Sequence, residues 1–410
     1  MNVENLRNNY PKLISYMKTA GYSDDYTNRV QREIQWILAE TGNNDWNCYS
    51  DVYQYHKTRP LSTGYLGKKR SIISIIHEFD LHGRYPDGKR SELVVEGSYQ
   101  KLVPEFRSLI DYYSAEVREN GKKESSINTE SKNVSAFLFT MQNAGINRLI
   151  DITEEAVMPV FVSADGKKLK SHSYRKFVSS VLKTCIPLNP NAIRKILSFI
   201  PFMKRGRKNI QYLTSQEAQA ILFTMEDMSN SLTLRERAIG KLAYYTGLRS
   251  CDIASMEFHS IDWECDLIRI RQQKTEELQE LPLTATVGNA IYDYITNERP
   301  PSDCPNLFLA QYAPYRKMER HGIWGIAAKI MKEAGIRQSK GDRRGFHLFR
   351  HHLVTTLLGN GTSQAVISSA LGHAAPESLE DYISADFTHL KECALSIAPF
   401  PVSEGVFIDA

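Results

Sequence analysis

The sequence lacks most of the features that would remove it from the globular proteins of the cell interior. It has no run of about 18 apolar residues, so no membrane-spanning helix is expected. Its first residues, MNVENLRNNYPKLISYM, show no basic segment leading into an apolar one, so a cytoplasmic location is expected. The six cysteines (Cys48, Cys185, Cys251, Cys265, Cys304, Cys393) include no C-x-x-C pair, which favours buried reduced thiols over a zinc site or a disulfide framework. Charge of one sign is scarce as well. With 51 basic and 47 acidic residues the chain carries only +4, too little for net charge alone to signal a polyanionic partner. What remains is a globular composition, 42% hydrophobic and 24% charged, spread over 410 residues, a length that suits two or three domains.

The basic residues are clustered. Lys68, Lys69 and Arg70 stand together, as do Lys167, Lys168, Lys170, Arg175 and Lys176, and again Lys204, Arg205, Arg207 and Lys208. Such clusters are most often solvated faces; contact with nucleic acid is the sharper reading.

Helical periodicity dominates the first 200 residues. LRNNYPKLISYMKTAG is amphipathic, and Ser23 with Asp24 and Asp25 reads as an N-cap before a helix that ends at Gly42. Turn chemistry at Ser62-Thr63-Gly64 precedes a further helix. A Pro/Gly-bearing link covers 84–104, and EFRSLIDYYSAEVRENG repeats the pattern, stopping at Gly121, with Ser126 or Asn128 opening the next helix. The shared rhythm suggests a duplicated helical unit, the alternative being two unrelated bundles. The basic segment 204–219 reads as a linker followed by a helix start, where Thr214 and Glu217 form a capping-box pattern, with helix expected from there to Tyr245. The period changes over 265–284, where Leu267, Ile268 and Ile270 and then Leu281 and Leu283 frame a polar turn, as in a β-hairpin. Helices are expected again over 286–298 and 321–334.

The chemistry concentrates in residues 346–382. His347, Arg350, His373 and Tyr382 can donate protons, carry positive charge or supply a phenolic nucleophile. Arg249 lies upstream in TGLRSCDI, just past a glycine stop, and Lys274 sits in the hairpin turn QQKTEE. Two guanidiniums suit the non-bridging oxygens of a phosphodiester, because guanidinium is planar, always charged and bidentate. A flexible lysine can protonate a leaving oxygen, and a tyrosine in cationic surroundings can attack phosphorus. Each residue has a blander reading, as a surface ion pair, a solvated turn lysine or a core aromatic. His347 and His351, at i and i+4, could instead hold a metal, although the arginine between them disfavours a divalent cation.

Together, TGLRSCDI, the lysine of IRIRQQKT, HLFRHH and LGHAAPESLEDY resemble the tyrosine recombinase (phage integrase) family over roughly residues 210–385. The resemblance implies a multidomain, mainly α protein, with helical N-terminal DNA-binding domains ahead of a mixed α/β catalytic domain that is mostly helical with a small antiparallel sheet. It implies a core-binding domain over 104–204, a catalytic domain over 210–400 and a tail over 385–410 that docks on a neighbouring subunit or folds back in cis; the N-terminal helical domain over 1–90, an accessory DNA-binding or second SAM-like unit, departs from the family's common compact form, which has one helical domain ahead of the catalytic one. Arg249 and Arg350 would clamp the scissile phosphate, Lys274 would act as general acid, and His347 would accept a proton or bind phosphate. His373 would hydrogen-bond the phosphate, Tyr382 would attack it to form a 3′-phosphotyrosine link, and Asp252 would support the site from behind. No cofactor and no metal are implied. The implied partners are double-stranded DNA with inverted-repeat core sites, a homotetramer on synapsed DNA and accessory DNA-bending or directionality proteins, in a bacterial cytoplasm and on the nucleoid when DNA is bound. Alternatives are a type IB topoisomerase-like activity and a DNA-binding regulator without catalysis.

Overall fold

The computed structural model describes residues 1–88, 97–204, 211–274 and 276–372. Among them are sixteen α-helices and one three-stranded antiparallel sheet, so the mainly α architecture with a small sheet is what is observed. They form two compact units, one built from residues 1–3, 36–84 and 97–204, the other from 4–35, 85–88 and 211–372.

The repeated rhythm of the N-terminal half has a local structural counterpart. Helices α1 (Val3–Thr19) and α2 (Asp24–Glu40) are joined through Gly21, and α5 (Pro104–Glu119) and α6 (Glu124–Asn143) through Gly121. Both glycines are left-handed, at φ +79° and +73°. Both turns close with the same pair of bonds: Tyr22 N–H to Met17 O and Lys122 N–H to Val117 O at 3.0 Å, and each glycine N–H to the carbonyl three residues back. This is the turn that satisfies the last carbonyls of a helix when a residue free of Cβ strain follows it. Because the Gly121 turn ends α5 so tightly, α6 starts at Glu124 and not at Ser126 or Asn128. Likewise Ser62 is the cap of α4 (Thr63–His82), accepting the Tyr65 N–H, and the residues after it are already helical.

Residues 102–203 enclose one apolar core. Phe106, Tyr113, Phe137 and Phe161 pack with Leu, Ile and Val side chains from α5, α6, α7 (Glu154–Phe161), α8 (His172–Thr184) and α9 (Pro190–Phe199). Ser171 caps α8, and Asn189 followed by Pro190 starts α9, the arrangement favoured at helix N-termini. The Cys185 thiol is buried in this core and pushed up to about 12 by desolvation, an inert thiol as expected. Cys48 and Cys265, by contrast, are exposed, contrary to the expectation of burial.

A further core spans residues 213–349, with a small separate cluster of Val354, Leu358, Ile367 and Leu371. It opens on α10 (Ser215–Glu226), whose capping box is present: Glu217 N–H donates to Thr214 Oγ1 at 3.2 Å and Thr214 N–H to Glu217 Oε2 at 2.9 Å. The helix does not run unbroken to Tyr245. It stops at Glu226, and a second capping box, Thr233 with Glu236, starts α11 (Leu234–Thr246). A short α12 (Ser250–Ser255) leads to β1 (Ile261–Asp262), β2 (Leu267–Arg271) and β3 (Leu278–Pro282). The β2–β3 pairing sets Ile268 opposite Leu281 and Ile270 opposite Gln279. Helices α13 (Ala285–Asn297), α14 (Arg320–Glu333), α15 (His347–Gly359) and α16 (Gln364–Leu371) complete this part.

Candidate active site

Four short segments carry the site. Gly247 caps α11 at φ +64°, and the chain turns at once so that Arg249 becomes the N-cap of α12. A Cβ at Gly247 would lie 2.9 Å from Leu353 Cδ2 and 3.2 Å from Leu371 Cδ2, so the tight approach to α15 and α16 requires glycine. Arg350 lies one turn into α15, 5% exposed; its Nη1 donates to Gly247 O and its Nη2 to Leu371 O, both at 2.9 Å. These two bonds fix the plane of the guanidinium and tie α15 to the ends of α11 and α16.

Arg249 is half-buried, and its Nη1 donates to Gln272 Oε1. The Gln272 amide donates in turn to Gln279 Oε1 and, at 2.9 Å, to the same Leu371 carbonyl that Arg350 uses. Gln279 donates to Ala370 O. The two arginines predicted from sequence are therefore joined through one glutamine and one carbonyl. Asp252 is 1% exposed, and its Oδ1 accepts the Gln273 N–H at 2.8 Å, pinning the start of the hairpin loop to α12.

Lys274 is exposed in that loop, two residues past Gln272. The loop is closed by Gln272 N–H to Glu277 O at 2.9 Å and Glu276 N–H to Gln272 O at 2.8 Å, with Glu276 left-handed at φ +63°. His347 begins α15 and keeps an exposed face, yet enough protein surrounds the ring to lower its pKa by desolvation. The charges of His351, Arg350, Arg320 and Arg249 lower it further. The imidazole is thus held neutral near pH 7 and able to accept a proton.

His351 and His352 are engaged by backbone carbonyls, although the His351 ring stays 6.2 Å from that of His347. His351 Nδ1 bonds Gln211 O at 2.8 Å, and His352 Nδ1 bonds Leu213 O at 3.1 Å, so both tie α15 to the strand of chain that enters α10. His373 and Tyr382 lie outside the described residues, as do Arg205, Arg207, Lys208 and the 385–410 tail.

The remaining candidate basic residues belong to the first unit. Lys68, Arg70, Lys167, Lys168, Lys170, Lys176 and Lys204 are exposed. Lys69 sits over the Trp36 and Tyr65 rings, and Lys170 over Tyr174. Arg175 is half-buried, with its Nε donating to Pro201 O at 2.8 Å. Lys167, Lys168 and Lys170 lie on a small turn closed by Leu169 N–H to Phe161 O and Ser163 N–H to Lys167 O, an element the sequence did not announce.

Three members of the arrangement escaped sequence reasoning: Gln272, Gln279 and Arg320. The signal for the glutamines was the strand period. Gln272 shares a face with Ile268 and Ile270, and Gln279 with Leu281 and Leu283, so both were due to point into the core. Arg320, at the start of α14, reaches the site only through tertiary packing.

Two guanidiniums, a neutral histidine and a nearby loop lysine, on a mostly helical domain with a three-stranded sheet, make a site for a polyanionic substrate. The Phage integrase family profile matches residues 211–389, a range that contains all of these groups. An integrase/recombinase-type protein of Sinorhizobium fredii, y4gC, is 34% identical over 191 residues, covering 47% of this chain and 97% of that protein. A second from the same organism, y4rA, is 31% identical over 229 residues, although the match spans only 51% of its length. Tyrosine recombinase XerC of Listeria welshimeri is 25% identical over 236 residues, covering 56% of this chain and 74% of its own. The fold resembles that of the site-specific recombinase XerH in its post-cleavage complex with palindromic difH, with a TM-score of 0.52 and 20% identity over 65% of this chain and 78% of that one. This chain belongs to the phage integrase family and is a tyrosine-type site-specific recombinase.

Proposed function

We propose that the enzyme cleaves and rejoins DNA strands at specific sites through a 3′-phosphotyrosine intermediate, in the service of a mobile element. The observation that carries this reading is the joining of Arg249 and Arg350 through Gln272 and the Leu371 carbonyl, beside a His347 kept neutral. Two fixed guanidiniums can neutralise the non-bridging oxygens of one phosphate as charge builds in the transition state. Because they are held before substrate arrives, little reorganisation is needed during the reaction.

In this scheme the Tyr382 oxygen attacks phosphorus while the bond to the 5′ oxygen breaks. The tyrosine proton passes to His347, and Lys274 protonates the leaving 5′ oxygen. His373 hydrogen-bonds the phosphate, and Asp252 holds the loop that presents Lys274. The phosphodiester energy is stored in the tyrosyl link, so attack by a 5′-hydroxyl from a second duplex restores a DNA strand at nearly no net cost. Nothing in that cycle calls for a metal or cofactor. The substrate is double-stranded DNA with inverted-repeat core sites, and exchange between two duplexes calls for a homotetramer and, for directionality, accessory DNA-bending proteins. Residues 104–204 serve as the core-binding domain, with Lys167, Lys168, Lys170, Lys176 and Lys204 near the backbone, and residues 1–90 add further DNA contact through Lys68, Lys69 and Arg70. Residues 210–400 form the catalytic domain, and 385–410 dock on a neighbour.

The test is a nicked suicide duplex carrying inverted repeats mapped in the DNA that flanks the coding sequence. The wild-type chain is expected to form a covalent complex that resists denaturation, and Tyr382→Phe none. A complex that persists in Tyr382→Phe, or none with wild type, contradicts the reading. Relaxation of a supercoiled plasmid lacking those repeats would favour a topoisomerase instead.

A further inference from the structure

We propose that Gln272 and Gln279 form a side-chain clamp that positions Arg249, Arg350 and the C-terminal end of α16 for strand cleavage; the proposal rests on the cleavage reading above. Both side chains point into the apolar face of the sheet, Gln272 fully buried and Gln279 nearly so, where a leucine would be the cheaper occupant. Their polar atoms are used. Gln272 Oε1 accepts from Arg249, its Nε2 donates to Leu371 O and to Gln279 Oε1, and Gln279 Nε2 donates to Ala370 O. The orientation of the amides is dictated by their neighbours, because a guanidinium can only donate and a carbonyl can only accept.

The connections close a ring. Arg249 leads to Gln272, Gln272 to Leu371 O, Leu371 O to Arg350, and Arg350 to Gly247 O, two residues before Arg249. The Gln272 backbone also closes the loop that carries Lys274. One residue therefore couples both arginines, the lysine loop and the last turn of α16, two residues before His373 in the sequence.

Gly372 belongs to the same device. It is left-handed at φ +60°, and a Cβ there would overlap the Gln272 amide, so the end of α16 can close on Gln272 only with glycine. Glutamine suits position 272 because it accepts and donates without charge. Glutamate would pair with Arg249 as an ion, drawing its charge from the phosphate, and would repel the Leu371 carbonyl.

The experiment measures single-turnover covalent complex formation on the suicide duplex, with melting temperature and DNA affinity recorded for each variant. Gln272→Leu removes the clamp and is expected to slow cleavage roughly 10- to 100-fold. Gln272→Glu keeps the side-chain shape and is expected to fall at least as far, and its melting temperature, recorded beside that of the leucine variant, separates loss of fold from loss of positioning. In an Arg249→Ala background either substitution should cost clearly less than it does in the wild-type chain, since one of the groups it positions is gone. Cleavage at the wild-type rate in Gln272→Glu, or an undiminished loss without Arg249, overturns the clamp. Absence of a covalent complex with the wild-type chain overturns the cleavage reading itself, a different outcome.

Discussion

The regions 97–204 and 211–372 are both compact and largely helical, yet they bury different chemistry. Among the described residues, the first buries two polar side chains outside its tyrosines, Glu130 and Ser135. The second buries eleven, including Arg235, Arg237, Asp252, Gln272, Gln279 and Arg350. In the first, Glu130 is met by the Tyr113 hydroxyl and by Lys122 Nζ at 2.6 Å, a single local network in an aromatic core. In the second, buried cations hold backbone carbonyls: Arg235 Nη1 donates to Leu309 O at 2.8 Å, Arg237 Nη1 to Met225 O at 2.9 Å, and Arg350 to Gly247 and Leu371. Burying charge costs stability unless it is fully bonded. The difference is that one region is filled by apolar and aromatic packing, whereas the other holds charged groups in fixed positions.

Substitutions that separate stability from chemistry sharpen this contrast. The largest effect is expected from Arg350→Ala, which removes two charge-assisted bonds and one of the two proposed phosphate clamps. Cleavage of the suicide duplex should fall by roughly 10³-fold or more, and melting temperature should drop as well. Phe137→Ala, in the core of the helical region, should cost about 3–5 kcal/mol of stability by chemical denaturation. Below its melting point the DNA-bound variant should cleave at close to the wild-type rate; a large loss there would break the comparison.

Arg320→Ala probes the electrostatics at His347. The histidine pKa lies below its ordinary value, so activity that needs the neutral ring persists as pH falls to that lowered value and is lost beneath it. Stability follows the same sign. The folded state takes up the proton less readily than the unfolded chain, so stability declines as pH falls from 6.5 toward the folded pKa. Removing the Arg320 charge should move the acid limb of the pH–cleavage profile upward toward 6.5. Because Arg320 is exposed, the shift should shrink at high salt. An unmoved or downward limb would contradict the placement of Arg320 beside the site. The smallest effects are expected from Lys68→Ala and Lys167→Ala, each lowering the salt slope of DNA binding by about one phosphate contact without changing cleavage chemistry.

Much of the site was legible because its residues carry their own local signals. Gly247 stops a helix, Arg249 follows it, His347 and Arg350 are one helical turn apart, and a period-two pattern brackets Lys274. The capping box at Thr214 and the helix stop at Gly121 were legible for the same reason. The glutamines were harder, since a polar residue at the end of a strand usually points to water; the period that puts them on the apolar face was outweighed by their polarity, and the register of Ile270 opposite Gln279 decides in favour of the period. Arg320 left no local trace, because its approach to His347 depends on how α14 packs, which no spacing in the chain encodes. The break between α10 and α11 was marked by Thr233 and Glu236 but masked by the apolar residues on either side.

The central claim is that Tyr382 becomes covalently joined to DNA. The direct measurement is mass spectrometry of the peptide recovered from the trapped complex after nuclease digestion. A 3′-linked nucleotide is expected on the peptide containing Tyr382, and on no other tyrosine. A nucleotide on a different residue, or a 5′-linked adduct, would contradict it.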